Sequence, residues 1–128
     1  MRFISLLLVL LELFTTTAEA RWRQEYAEKP AEVKKWYSDA KIMPAARGRF
    51  GFEGCCEHAD VVKTKFNVVK ADGDKYPRDA WFWLDEKTWR RVPDDIIHWG
   101  EHAPDQQATL FVYKGRETCF YPPGQDAQ

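Results

Sequence analysis

Residues 59–70 read Ala59-Asp60-Val61-Val62-Lys63-Thr64-Lys65-Phe66-Asn67-Val68-Val69-Lys70, and residues 81–92 read Trp81-Phe82-Trp83-Leu84-Asp85-Glu86-Lys87-Thr88-Trp89-Arg90-Arg91-Val92. In the first stretch Val62, Thr64, Phe66 and Val68 alternate with Lys63, Lys65 and Asn67. A period of two puts one set on a buried face and the other in water, which is the pattern of a half-buried strand. Asp72-Gly73-Asp74 supplies a turn. Trp81-Phe82-Trp83-Leu84 reads as a second strand, joined through Asp85-Glu86-Lys87 to a third over residues 88–92. Pro93 cannot donate to a ladder and closes it.

Beyond this nucleus the chain is irregular over residues 94–107, with a short helical turn expected at 94–98. Residues 108–114 and 118–121 then form a last hairpin around Lys114-Gly115-Arg116-Glu117, and Pro122-Pro123-Gly124 ends the ordered part. Upstream, Pro30 sits where a first helical turn tolerates proline. Val33, Trp36, Tyr37 and Ala40 follow at i, i+3, i+4 and i+7, with Glu32, Lys34, Lys35 and Asp39 off that stripe. This predicts a helix over about residues 30–41. Pro44 and the glycine-rich run at 47–54 make a loop. The sum is an α+β chain: an N-terminal helix followed by a small antiparallel β-sheet or barrel of about five strands.

At the N-terminus Met1-Arg2-Phe3 precedes an apolar block at 4–14, interrupted by Glu12, and then Thr15-Thr16-Thr17-Ala18-Glu19-Ala20. Charged, apolar and small-residue segments in that order read as a cleavable signal peptide over residues 1–20. The block is shorter than the ~20 apolar residues of a membrane span, so no transmembrane anchor is expected after cleavage. Residues 21–128 are then one small exported domain, periplasmic or extracellular, with an ordered core of about 30–123.

Composition narrows the function. Removing Arg2, Glu12 and Glu19 from 19 Lys plus Arg and 20 Asp plus Glu leaves a formal net charge of zero. A nucleic-acid-binding domain usually carries a basic excess, so no nucleic acid is expected among the partners. Aromatic residues make up 15% of the chain, six of them Trp, and rings that bury about 150–250 Å² each suit the core of a small domain. A sharper use of them is an aromatic binding surface at Trp81, Trp83 and Trp89 for a glycan or other flat ligand.

The three cysteines are Cys55, Cys56 and Cys119. An exported chain meets an oxidising compartment, and an odd count means one bridge with a spare thiol, an intermolecular bridge, or a metal ligand. Adjacent cysteines bridge each other only through a strained ring, so the bond expected joins Cys55 or Cys56 to Cys119. It would close a loop of about 64 residues and contribute about 3–4 kcal/mol on the chain-entropy account.

Trp36-Tyr37 on the leading helix, Cys55-Cys56-Glu57-His58-Ala59-Asp60, Trp89-Arg90-Arg91-Val92-Pro93 and Cys119-Phe120-Tyr121-Pro122-Pro123 together resemble a family of small exported bacterial proteins. That family carries a double cysteine (Cys-Cys-x-x-x-Asp), a Trp-x-x-Val-Pro segment and a closing Cys-Phe-x-Pro segment. The likeness spans nearly the whole mature chain. It is an uncharacterised family and implies no activity, cofactor or partner. Some members have a further cysteine directly after the Asp, where this sequence has Val61, which removes the basis for a second bridge.

A metal site could draw on Cys55 or Cys56 with His58, Asp60, His98 and His102, a set of thiolate, imidazole and carboxylate that suits zinc or copper. His98 and His102 are four residues apart, yet Gly100 and Pro104 argue for a loop there, and neither Cys-x-x-Cys nor His-Glu-x-x-His is present. Ser38 is the one serine of the mature chain and lies in the predicted helix, away from a nucleophile elbow. Asp94-Asp95 after Val-Pro reads as the start of a turn rather than as a catalytic pair. The reading is therefore a non-enzymatic extracytoplasmic binding or structural domain, held by a disulfide and without a cofactor, whose partner is an envelope protein or glycan. Its alternative is a metal-binding or thiol-redox protein using Cys55-Cys56-Glu57-His58. The signal reading predicts that the exported protein begins at Arg21, and an intact mass retaining residues 1–20 would overturn it.

Overall fold

The computed structural model describes residues 29–125. Residues 1–28, including the segment read as a signal peptide, lie outside the described residues. The helix α1, Ala31–Asp39, follows Pro30, whose carbonyl accepts from the N–H groups of Val33 and Lys34 at 3.0 and 3.1 Å. The stripe predicted from spacing is its inner face: Val33, Tyr37 and Ala40 are buried and Trp36 is half-buried. The glycine-rich loop contains one regular piece, a 3-10 helix over Pro44–Arg49 that Pro44 opens.

Six strands form two three-stranded antiparallel sheets, which replaces the expected five-stranded sheet or barrel. The first sheet orders β1 (Asp60–Val61), β5 (Thr109–Tyr113) and β6 (Arg116–Tyr121). The second orders β2 (Phe66–Val69), β3 (Ala80–Asp85) and β4 (Thr88–Arg91). The correction lies in residues 59–70, read from sequence as one strand. Their alternation is real, since residues 62, 64, 66 and 68 are half-buried while 63, 65 and 67 are exposed. The ladder nonetheless changes partner midway. The Val62 N–H donates to Leu110 in the first sheet at 3.0 Å, whereas the Lys65 carbonyl accepts from Leu84 in the second at 3.0 Å. The Thr64 hydroxyl also donates to the Leu84 carbonyl. Burial alternates along an extended chain whether or not its hydrogen bonds stay with one neighbour, so periodicity alone cannot reveal the crossover.

The first sheet is the middle layer. Side chains alternate along β6, and Phe120 points to the second sheet, its ring centroid 5.4 Å from Phe66 and 5.3 Å from Trp81. Tyr121 points the other way, 4.5 Å from the Trp36 ring of α1. On β5 Phe111 likewise meets Tyr37, edge to face at 5.8 Å. With both faces covered, residues 118–121 are buried without a break. A register shift between Phe111 and Val112 leaves Thr118 as the extra residue of a bulge. Its hydroxyl, buried, is shared between the carbonyls of Phe111 and Cys55 at 3.3 and 3.4 Å.

Turn chemistry matches the expectation at each hairpin. Lys114 and Gly115 both take positive φ, 48° and 75°, as a two-residue turn between β5 and β6 requires. Glu86 takes φ 57° in the β3–β4 turn. In the β2–β3 connection the Asp72 carboxylate accepts from the N–H groups of Asp74 and Tyr76 at 2.9 and 3.0 Å, so Asp72-Gly73-Asp74 is the turn expected. Residues 94–98, expected to turn helically, contain a 3-10 turn at Asp94–Ile96. It is tied to the earlier 3-10 helix by a bidentate ion pair between Arg49 and Asp95.

Cys55 pairs with Cys119 across 64 residues, and Cys56 is the free thiol. The bond fastens the segment after Gly54 to the α1-facing side of β6. The same segment is held by its backbone, with the Cys55 N–H donating to Ala40 and the Ile42 N–H to Glu53 at 2.9 and 2.8 Å. Both bonded sulfurs belong to fully buried residues. Cys119→Ser should therefore lower stability in chemical denaturation by about 3–4 kcal/mol. Cys56→Ser should stay within about 0.5–1 kcal/mol of the parent. Alkylation of the unfolded but unreduced chain should label one cysteine, and labelling at Cys119 would contradict the pairing.

Candidate functional site

Beside the disulfide the chain makes its densest group of chemically active side chains. After the 3-10 turn the backbone runs along the outer edge of β6: Ile97 bridges to Phe120 in parallel, and the His98 N–H donates to the Phe120 carbonyl at 2.8 Å. This pairing brings the His98 ring onto Tyr121, stacked with centroids 3.9 Å apart and planes 14° from parallel. Gly100, at φ 77°, turns the loop back, and Glu101 meets His98 three residues earlier, its carboxylate 3.0 Å from Nδ1. A carboxylate only accepts, so Nδ1 carries the proton and Nε2 presents a lone pair.

That lone pair has no partner. His98 is 6% exposed, and its Nε2 is a buried atom without a hydrogen bond, as is Trp99 Nε1. A ring nitrogen of His98 and the sulfurs of Cys55 and Cys119 lie within 4.8 Å of one another. The Tyr121 hydroxyl reaches the Cys55 sulfur at 4.0 Å. Burial lowers the His98 pKa below its ordinary value, against the opposing pull of Glu101 and the Lys41 backbone, and keeps the imidazole neutral. Burial and Glu101 together push the Tyr121 phenol well above its ordinary range, so it keeps its proton and donates.

Outside this cluster the same side chains wall an open groove of about 620 Å³. Trp36 comes from α1, Arg47 from the 3-10 helix, His98, Glu101 and His102 from the loop, and Tyr121 from β6. Arg47 is positioned by its Nε donating to the Ile42 carbonyl at 2.8 Å. A second, smaller cavity of about 280 Å³ lies between Tyr37, residues 61–66 and residues 105–109, with the Lys29–Asp105 ion pair at its edge.

The residues singled out from the sequence are dispersed. Among the candidate ligands Cys55, Cys56, His58, Asp60, His98 and His102, Cys55 and His98 stand in the one metal-competent group among the described residues, with Cys119 as its third member. His58 is exposed, with its ring against Phe52 and Tyr113 at 4.7 and 6.0 Å. Asp60 is exposed on β1, and burial together with the Asp60 charge raises the Cys56 thiol pKa, which makes Cys56 a poor thiolate. His102 is exposed on the groove.

The aromatic surface divides by strand parity. Trp81 and Trp83 point inward and are buried; Trp83 Nε1 donates to Glu117 at 2.8 Å. Of the three only Trp89 is exposed, at 47%, opposite Leu84 on the outer face of the second sheet. There the Arg91 guanidinium lies over Phe82 and Tyr76, 5.8 and 5.1 Å from the ring centroids. A three-tryptophan platform is thus excluded by the alternation that packs two of them into the core.

Sequence reasoning passed over Glu101, Arg47 and Tyr121. The i, i+2 relation of Cys119 and Tyr121 on one strand does place them on one face, and was a usable signal. The meeting of His98 with Cys55 depends on a backbone pairing no local pattern encodes.

Because the unfolded chain protonates His98 near the ordinary 6.5 while the folded chain resists protonation, the unfolded state binds more protons as pH falls below about 6.5. Stability should then decrease from about pH 7 downward, until the folded ring itself protonates. Denaturation midpoints in the parent should show this fall, and His98→Gln should flatten it; an unchanged slope in the variant would refute the assignment. No protein-family model, curated protein or solved structure matches the chain.

Proposed function

We propose that this chain is an exported, non-enzymatic binding domain, stapled by Cys55–Cys119, that takes an envelope glycan in the groove bordered by Trp36, Arg47, His98, Glu101, His102 and Tyr121. The observation that carries this reading is the groove itself: about 620 Å³, within the range of small-ligand sites. It brings together the rings of Trp36 and Tyr121 with cationic, carboxylate and imidazole groups from Arg47, Glu101, His98 and His102. An aromatic ring offers a sugar its apolar face, while the polar groups suit hydroxyls; Arg47 comes from the 3-10 helix and the others from the loop after Asp94–Ile96, two elements tied by the Arg49–Asp95 pair. The binding reading also fits the two histidines' roles, one buried and structural to the wall, the other exposed at the rim.

The alternative built on Cys55-Cys56-Glu57-His58 has less support, because Cys55 is bonded away from its neighbours and His58 is spent on ring contacts. Localisation in the periplasm or outside the cell belongs to the same proposal, and rests on the N-terminal segment and the disulfide.

The test is a titration of the mature protein with N-acetylglucosamine oligosaccharides and with peptidoglycan fragments, followed by NMR of indole and imidazole signals. Shifts should concentrate at Trp36, His98 and His102. The affinity should lie at about micromolar to millimolar Kd, and His102→Ala should weaken it about tenfold, equivalent to ~1.4 kcal/mol. Trp89→Ala should leave it unchanged. Binding lost in Trp89→Ala and kept in His102→Ala would move the site to the outer sheet face and defeat this reading, as would no binding of either glycan.

A further inference from the structure

We propose that Cys55, Cys119 and His98 form a buried thiolate–imidazole site for a soft metal ion, zinc foremost, which becomes available when the Cys55–Cys119 bond is reduced. The inference is separate from the groove reading, since the two sulfurs do not line the groove and each proposal can fail without the other.

The geometry carries it in three steps. One ring nitrogen of His98 and the two sulfurs already lie within 4.8 Å of one another, and all three residues are buried. Donors on a tetrahedral zinc stand about 3.5–3.8 Å apart, given Zn–S of ~2.3 Å and Zn–N of ~2.0–2.1 Å. Side-chain rotation covers that difference once the sulfurs are no longer bonded to each other.

Second, the imidazole is set up as a ligand. Metal-bound histidines characteristically donate their other N–H to a carboxylate, which fixes the tautomer and the ring. Here Nδ1 is held by Glu101 at 3.0 Å, the ring is clamped on Tyr121, and Nε2 is buried without a partner. A buried acceptor left unpaired costs about 1–3 kcal/mol, which a metal bond would remove.

Third, the charges balance. Two thiolates neutralise Zn²⁺, so the centre adds no net charge to a dry interior, where an unpaired ion is costly. The Tyr121 hydroxyl, 4.0 Å from the Cys55 sulfur, is a donor to that thiolate.

The chemistry is a two-electron exchange followed by ligation. A dithiol reductant transfers two electrons and two protons; the Cys55–Cys119 bond breaks to two thiols, and the reductant closes to its own disulfide. Zn²⁺ then displaces the two thiol protons to solvent, while His98 binds through its lone pair without a change of proton count. Oxidation of the thiolates by a disulfide of higher potential returns the bond and expels the ion.

The experiment uses the mature protein carrying Cys56→Ser, so that only the two core thiols remain, with Zn²⁺ as probe under anaerobic conditions. Reduced protein should retain one Zn²⁺ per chain through desalting, and zinc should raise its Tm or, where reduction has unfolded it, restore its native circular dichroism. The oxidised protein should do neither. His98→Gln should weaken zinc binding at least about 100-fold and Glu101→Gln about 10–100-fold, while His102→Ala should leave it unchanged. Failure of zinc to bind or to restore the reduced chain overturns the proposal. So does equal affinity in His98→Gln, loss of affinity in His102→Ala, or equal binding by the oxidised protein.

Discussion

Strand β6 is buried on both faces, and most of the molecule is arranged around that constraint. Because adjacent residues of a strand point in opposite directions, Phe120 anchors the second sheet through Phe66 and Trp81, while its neighbours Cys119 and Tyr121 anchor Cys55, Trp36 and His98. A short domain rarely has the surface-to-volume ratio for two cores. Here one strand serves both layers, and the bulge at Thr118 adjusts its side chains to do so. The outer edge of β6, which would otherwise expose unpaired backbone groups, is partly covered by the pairing of residues 97 and 98.

That edge pairing explains why the chemically active groups collect where they do. The loop over residues 94–102 is bound to β6 by the backbone pairing of residues 97 and 98 with Phe120. His98 is thereby delivered to the Tyr121 ring and to the disulfide, and Glu101 is left at the groove to hold its Nδ1. The imidazole beside the disulfide and its place in the groove wall are both consequences of that docking. That histidine is kept neutral by burial, with Nδ1 tied to Glu101 and Nε2 buried, and it walls the groove beside the disulfide.

Much of the fold was legible from local pattern. The helix stripe Val33, Trp36, Tyr37 and Ala40, the strands at 81–84 and 88–92, the turn at Asp72-Gly73-Asp74, and the bond to Cys119 follow from spacing and turn chemistry, and the structure has each of them; the turn of the last hairpin, expected over 114–117, is narrowed by the structure to 114–115, with Arg116 and Glu117 in the strand. The candidate site was legible only in fragments. His98 and Tyr121 are far from Cys55 in sequence, and their meeting is decided by which strand edge the 94–102 loop pairs with. Trp81 and Trp83 show the converse failure: aromatic density marks binding surfaces and cores alike, and only the parity of β3 against β2 and β4 tells them apart.

By itself the sequence determined the α+β class of the fold, its leading helix and most of its hairpins, and the expectation that Cys55 or Cys56 bonds to Cys119. These depend on periodicity, on turn residues with special φ, and on the small number of ways three cysteines can pair. Tertiary structure alone decided that residues 59–70 serve two sheets, that Cys55 and not Cys56 makes the bond, and that His98 stands beside it. In each case the deciding interaction is a backbone hydrogen bond or a packing contact between segments distant in sequence, and such contacts leave no periodic trace in the residues that make them.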